Sequence, residues 1–203
     1  MKIICIGRNY ADHAAELNNP VPKEPVVFLK PETALIPKNQ PFFYPDFSND
    51  IHFEAEIVVK INRLGKNIAT QFAHKYYEEI SLGIDFTARD IQQRLKEKGL
   101  PWEKAKAFDH SAPTGKFIPK SKLKNLNDFN FSLLIDGETK QKGNTKNMLF
   151  SIDAIIAEVS KYFTLKIGDL IFTGTPAGVG PIAIGNHLEG FIEEEKVFNL
   201  KIR

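Results

Sequence analysis

Apolar and polar residues alternate through Ile51-His52-Phe53-Glu54-Ala55-Glu56-Ile57-Val58-Val59. A period of two predicts a strand over residues 52–62, with Phe53, Ala55, Ile57 and Val59 on one face and His52, Glu54 and Glu56 on the other. Shorter apolar runs predict strands at 2–6, ending at Gly7, and at 26–29, 80–86, 129–135, 139–142 and 170–172. Further closing strands are expected within 190–203. Asp136-Gly137 between two of these runs is a hairpin signal. A brief helix is expected over 9–17, with His13 and Glu16 on one side, ended by Asn18-Asn19-Pro20 and Pro22. Residues 68–77 are a second helix candidate. Thr87, with Asp90 three residues on, reads as the N-cap of a helix to about residue 98, stopped by Gly99-Leu100-Pro101. Ser151 caps a last helix whose apolar stripe is Ile155, Ile156, Val159 and Phe163. Short strands punctuated by Gly and Pro, few helices, no repeat and no linker predict an α+β fold, predominantly β, as one domain over 1–203.

Composition narrows the function classes. A hydrophobic content of 42% suits a globular core. The 27 basic and 25 acidic residues are scattered, without a block of like charge, so neither a nucleic-acid footprint nor an acidic tail is expected. Cys5 is the only cysteine, which excludes an internal disulfide framework and fits a reducing compartment. The apolar start of the chain is too short for a signal peptide, and no stretch approaches the ~18 apolar residues of a membrane span. The expectation is a soluble, cytoplasmic protein without membrane or nucleic-acid partners.

Glu54 and Glu56 are adjacent on one strand face, where like charges repel and resist burial. A hard divalent cation that takes carboxylate oxygens removes both objections; a solvated strand face with two surface acids is the other reading. Asp85, at a strand end in Gly83-Ile84-Asp85-Phe86-Thr87-Ala88-Arg89-Asp90, is the candidate third ligand, or an acid favoured by the start of a helix. His13 beside Glu16 has the makings of an oriented base for activating water, or is an incidental surface pair. Lys106, among apolar neighbours, is placed to neutralise a carboxylate or enolate, unless it is simply solvated. The loop Thr173-Gly174-Thr175-Pro176-Ala177-Gly178-Val179-Gly180-Pro181 lacks the Gly-Lys-Ser/Thr ending of a P-loop. Its backbone N–H groups and Thr175 suit a carboxylate; a tight turn is the alternative.

Taken in order, these stretches resemble the fumarylacetoacetate hydrolase family, closest to its short acylpyruvase/oxaloacetate decarboxylase branch. The resemblance is carried by Gly7-Arg8-Asn9-Tyr10-Ala11-Asp12-His13, Phe28-Leu29-Lys30-Pro31, His52-Phe53-Glu54-Ala55-Glu56, Asp85 to Gln92, Gly99 to Lys106 and Gly168 to Pro181, which together span essentially the whole chain. It implies a rolled mixed β-sheet with a few peripheral helices, usually as a homodimer. It implies that Glu54, Glu56 and Asp85 hold Mg²⁺ or Mn²⁺, and that His13 and Glu16 form a water-activating dyad on a lid helix over about 9–20. Lys106, Gln92 and Thr175 would meet the 2-oxo acid end of a small-molecule substrate, with Arg8 and Tyr10 shaping the entrance. The activity implied is hydrolysis of the C3–C4 bond of acylpyruvates, with oxaloacetate decarboxylation by the same site. An isomerase or decarboxylase of unsaturated 2-oxo dicarboxylates and a non-catalytic metal- or carboxylate-binding protein are the rivals. The expectation is a chain compact even for the short branch, without the extra N-terminal domain of longer relatives, so that fumarylacetoacetate itself is not the expected substrate.

Overall fold

The computed structural model describes residues 1–16 and 20–203, so the predicted helix end at Asn18-Asn19 lies outside the described residues. In chain order the first half comprises β1 (Ile3–Gly7), α1 (Ala11–Glu16), β2 (Val26–Lys30), β3 (Ile51–Phe53), β4 (Ala55–Ile61), α2 (Thr70–Ala73), β5 (Tyr77–Ile84), β6 (Thr87–Ala88) and α3 (Arg89–Glu97). The second half adds α4 (Glu103–Lys106), β7 (Ile118–Pro119), β8 (Asn130–Ile135), β9 (Glu138–Asn144), α5 (Ile152–Tyr162), β10 (Leu170–Phe172), β11 (Gly180–Pro181), β12 (His187–Ile192) and β13 (Glu195–Lys201). The fold is α+β and mostly strand, as expected. No helix among the described residues is long and apolar enough to cross a membrane.

A six-stranded mixed sheet, ordered β2-β1-β10-β4-β5-β7, forms the centre. Only β1 and β10 pair in parallel; the other neighbours are antiparallel. A four-stranded antiparallel sheet, β13-β12-β8-β9, packs its Phe131, Leu133, Leu188 and Phe198 into one core with Ile57 and Leu82 of the central sheet. Helix α5 closes that core with Ile155, Ile156 and Val159. The opposite face of the central sheet carries a smaller cluster of Ile3, Cys5, Val58 and Phe172. Strand β4 is therefore buried on both faces, and the face shared by Val58 and Glu56 is interior.

Three local expectations change. The strand predicted over 52–62 breaks at Glu54: β3 joins a small sheet with β6 and β11, and β4 joins the central sheet. The crossover backbone is satisfied from elsewhere, because the Asp85 N–H donates to the Glu54 carbonyl at 2.8 Å and the Ala55 N–H to Gln141 Oε1 at 2.9 Å. The helix over 68–77 contracts to Thr70–Ala73, because Tyr77 already belongs to β5. Thr87 lies in β6 and caps nothing; Ala88 precedes α3 without a side-chain cap. The hairpin and the last helix form as expected. Asp136 and Gly137 both take positive φ, 52° and 82°, as a type I′ turn needs, and Ser151 Oγ accepts from the Ala154 N–H at 3.3 Å.

Gly83 stands opposite Glu56 in the β4–β5 register. A Cβ there would lie 2.7 Å from Phe172 Cε1 and 2.8 Å from Val58 Cγ2. Gly83→Ala should therefore destabilise the fold by about 1–3 kcal/mol through overpacking, read from urea denaturation. An unchanged midpoint would contradict this packing beneath the carboxylates.

Candidate metal centre and active site

The break at Glu54 brings the three predicted carboxylates together. Glu54 sits at the crossover, Glu56 on β4 and Asp85 one residue beyond β5, and they offer ligand atoms that all lie within 4.8 Å of one another. Their exposures are 5%, 2% and 1%, which excludes a solvated strand face. Buried anions need partners, and basic side chains converge on two of them. Lys106, at the end of α4, donates from Nζ to Glu54 Oε2 at 2.9 Å, Asp85 Oδ2 at 2.7 Å and Thr87 Oγ1 at 2.6 Å. Arg89 opens α3 and donates from Nη2 to Glu54 Oε1 at 2.6 Å and from Nη1 to Gln92 Oε1 at 2.6 Å. Lys30, fully buried at the end of β2, places Nζ 2.6 Å from Asp85 Oδ1. The same Nζ donates to the carbonyls of Ser111, at 2.7 Å, and Phe86, at 3.3 Å.

The carboxylates are electrostatically unequal. Burial raises the Glu54 pKa, but Lys106 and Arg89 outweigh it and hold that carboxyl well below the usual range. Burial pushes Glu56 well up, and Asp85 and Glu54 push it further. Among the described residues Glu56 has no basic partner; one of its oxygens accepts the Gly174 N–H at 2.7 Å. Burial opposes the charge on Lys106, yet Asp85 and Glu54 raise its pKa, so the ammonium stays protonated.

The donor set fits a hard divalent cation. It consists of carboxylate oxygens only, the preference of Mg²⁺ and Mn²⁺. Asp85 Oδ1 is buried without an aligned hydrogen-bond donor, and Glu56 lacks a counter-charge that a cation would supply.

Helix α1 brings His13 to the cavity that this cluster lines. His13 is buried, with Nδ1 3.3 Å from Glu16 Oε2. Glu16 also accepts from the Gly178 N–H at 3.1 Å, which ties the helix to the glycine loop. That loop thus directs N–H groups to the protein's own carboxylates, Glu56 and Glu16. Thr175 is fixed by Gln141 Nε2 at 2.8 Å. A small cavity of about 40 Å³ is lined by Arg8, His13, Gln92, Lys106 and Thr175 together with the three carboxylates.

Tyr10 lies apart from this cavity, buried edge-on against Phe131 with its hydroxyl unpartnered. Asn9 explains its neighbourhood. The buried Asn9 amide donates to the carbonyls of Thr173 at 2.7 Å and Phe150 at 3.0 Å, and accepts from the Phe150 N–H at 2.8 Å. The chain is clamped there, with Tyr10 pointing into the core. Gly174 touches this clamp, for a Cβ on it would lie 2.6 Å from Asn9 Cβ, at a φ of +97°.

Lys30, Thr87, Arg89, Lys96 and Trp102 also belong to the site or its wall, and the sequence reading assigned them no role in a site. The signals for Lys30 were its closing of the apolar run Val26-Val27-Phe28-Leu29 and its place in the stretch Phe28-Leu29-Lys30-Pro31.

A fold of this topology with buried carboxylates at a sheet crossover defines a class, and the sequence comparison agrees. The chain belongs to the fumarylacetoacetate hydrolase family, matching the description "Fumarylacetoacetate (FAA) hydrolase C-terminal" over residues 2–202. It is 43% identical over 201 residues to the mitochondrial oxaloacetate tautomerase FAHD1 of Mus musculus, covering 99% of this chain and 91% of that protein. It is 42% identical to the oxaloacetate tautomerase YcgM of Escherichia coli, covering 92% and 86%. Among solved structures, fumarylpyruvate hydrolase from Pseudomonas aeruginosa, in complex with Mn²⁺ and pyruvate, superposes with a TM-score of 0.91 at 35% identity, covering 100% and 90%. A fumarylacetoacetate hydrolase family protein from Yersinia pestis gives 0.94 at 39%, covering 100% and 93%. The chain is an enzyme of this family, and a non-catalytic binding role is set aside.

Two outcomes follow from the charge arrangement. Saturating Mn²⁺ should raise the melting temperature of the wild type, by an equivalent of about 2.7 kcal/mol at a hundredfold excess over Kd, and Asp85→Asn should abolish the shift in calorimetry. Without divalent cation, Lys30→Met should cost about 3–5 kcal/mol, because it strands a buried carboxylate; chemical denaturation checks it.

Proposed function

We propose that this enzyme acts on short 2-oxo acids through the C2–C3 enolate, with keto–enol interconversion of oxaloacetate as its main reaction. The observation that carries the reading is His13, buried in the cavity wall and oriented by Glu16, in the same small cavity as Lys106 and the carboxylate cluster. The names of the relatives at 42–43% identity support oxaloacetate ahead of other 2-oxo acids. In this reading Glu54, Glu56 and Asp85 hold Mg²⁺ or Mn²⁺, and the cation supplies Lewis-acid stabilisation of negative charge developing at the 2-oxo oxygen.

The chain's own residues do the rest. Gln92 and the Thr175 hydroxyl hold the carboxylate of the 2-oxo acid end. Glu16 fixes His13 Nδ1, which leaves Nε2 to take the proton from the enol hydroxyl or from C3. Lys106, kept charged by its carboxylates, adds a fixed positive charge beside the enolate. Protonation at C3 completes tautomerisation. When the C4 carboxylate of the keto form leaves as CO₂, the C3–C4 electron pair becomes the enolate of pyruvate, and its protonation at C3 gives pyruvate.

Hydrolysis of acylpyruvates is the second reading, favoured by the fumarylpyruvate hydrolase likeness. There His13 removes a proton from water as its oxygen attacks C4, the C3–C4 bond breaks, and a carboxylic acid and pyruvate are released. Action on unsaturated 2-oxo dicarboxylates would use the same enolate with the proton returned at a more distant carbon. The proposal takes residues 1–203 as one catalytic unit, in the cytoplasm and as a homodimer; light scattering checks the last.

The test follows the decay of enol-oxaloacetate absorbance with Mg²⁺ or Mn²⁺ present. The wild type should accelerate it, EDTA should remove the acceleration, and His13→Ala should lose about 10²–10⁴-fold while its melting temperature still responds to Mn²⁺. An unimpaired His13→Ala rate would overturn the role of His13. Acetylpyruvate hydrolysis faster than tautomerisation would move the assignment to the hydrolase.

A further inference from the structure

Two cations in the cavity wall are left over once the carboxylate cluster is accounted for. Arg8 and Lys96 both line the cavity and are half-buried. Among the described residues neither has an ion pair, although Lys30, Arg89 and Lys106 around the carboxylate cluster do. They come from different elements. Lys96 lies on α3, one turn past the buried Gln92, and its ammonium sits 5.9 Å from the centroid of the Trp102 ring. Arg8 follows β1 and is held at a φ of 60°, a left-handed conformation that arginine rarely adopts. The Asn9 clamp fixes that backbone and turns the side chain toward the cavity rather than the core.

Like charges facing one small cavity repel each other unless an anion sits between them. Within the carboxylate cluster Glu54 and Asp85 are met by Lys30, Arg89 and Lys106, and Glu56 accepts the Gly174 N–H, so neither Arg8 nor Lys96 is paired within it. An incoming monoanion placed at Gln92 and Thr175 leaves Arg8 and Lys96 unsatisfied. A substrate with a second carboxylate does not.

We propose that Arg8 and Lys96 form a subsite for the distal carboxylate of a 2-oxo dicarboxylate, and that this pair sets the preference for dicarboxylates over monoanionic acylpyruvates such as acetylpyruvate. The proposal rests on the reading that the 2-oxo acid end occupies the carboxylate cluster. Loss of either cation removes a charge-assisted hydrogen bond to the distal group and leaves the reacting end untouched.

Arg8→Gly and Lys96→Met provide the test. Glycine accepts the left-handed backbone at position 8, so Arg8→Gly should melt no lower than the wild type. With Mn²⁺ present, each variant should lose about 10–100-fold in kcat/KM for oxaloacetate, mainly through KM. Turnover of acetylpyruvate and thermal stabilisation by oxalate, which reports only the chelating end, should stay within twofold of the wild type. Lys96→Arg should recover most of the loss. Equal loss on oxaloacetate and acetylpyruvate, or no loss on either, overturns the subsite while the enolate reading stands. A wild type that neither turns over these acids nor is stabilised by oxalate overturns the enolate reading and the subsite with it.

Discussion

Three carboxylates buried within 4.8 Å of one another are the constraint on which the rest of the molecule turns. In water such a cluster is trivial; in an interior it is strongly unfavourable unless positive charge is brought to it from fixed positions. The chain supplies that charge from three separate elements: Lys30 from the end of β2, Arg89 from the start of α3 and Lys106 from the end of α4. Each lies far in sequence from the carboxylate it meets, so the pairs exist only when the whole sheet has assembled. The match is incomplete at Glu56, whose carboxyl is pushed up by burial and by its two acidic neighbours. That residual imbalance leaves the cluster short of a closed ion-pair network, and an acidic triad of this kind could bind a divalent cation.

The fold serves this cluster by changing sheets at Glu54. A continuous strand would keep all its side chains in one sheet; the break lets β3 pair with β6 while β4 runs into the centre beside β5 and β10. Below the carboxylates, Val58, Phe172 and Cys5 seal the same sheet face with apolar packing, which keeps water from entering from beneath. Above them, α1 is tied down through Glu16 and the Gly178 N–H. The Asn9 clamp joins the neck of α1 to Thr173 and Phe150. The three carboxylates, His13 and the glycine loop are thereby held in one frame.

Much of this was legible before any coordinates. The turn at Asp136-Gly137 and the Ser151 cap are local signals that tertiary structure did not override, while the alternation through Glu54 and Glu56 holds as strand on either side of a break at Glu54. The carboxylates, His13, Glu16, Gln92, Lys106 and Thr175 all lie in or around one site. The misses have a common physical origin. Thr87 fits a helix cap by spacing, but its hydroxyl is engaged by Lys106 and Glu54, a contact between elements that no local pattern encodes. Lys30 and Lys96 look like any other lysine until burial separates them from the solvated ones. Tyr10 shares a motif with Arg8, yet the backbone turn at Arg8 sends the two side chains in different directions, one to the cavity and one to the core.

If Glu54, Glu56 and Asp85 together hold a divalent cation, as proposed, Lys106 Nζ, which lies 2.9 Å from Glu54 and 2.7 Å from Asp85, must yield part of that contact. Anomalous diffraction from crystals grown with Mn²⁺ tests it most directly. A single strong peak among the three carboxylates, with Lys106 Nζ drawn away from Glu54 or Asp85, is the predicted result. Crystals saturated with Mn²⁺ that show no peak there, with Lys106 still bridging Glu54 and Asp85, would contradict it.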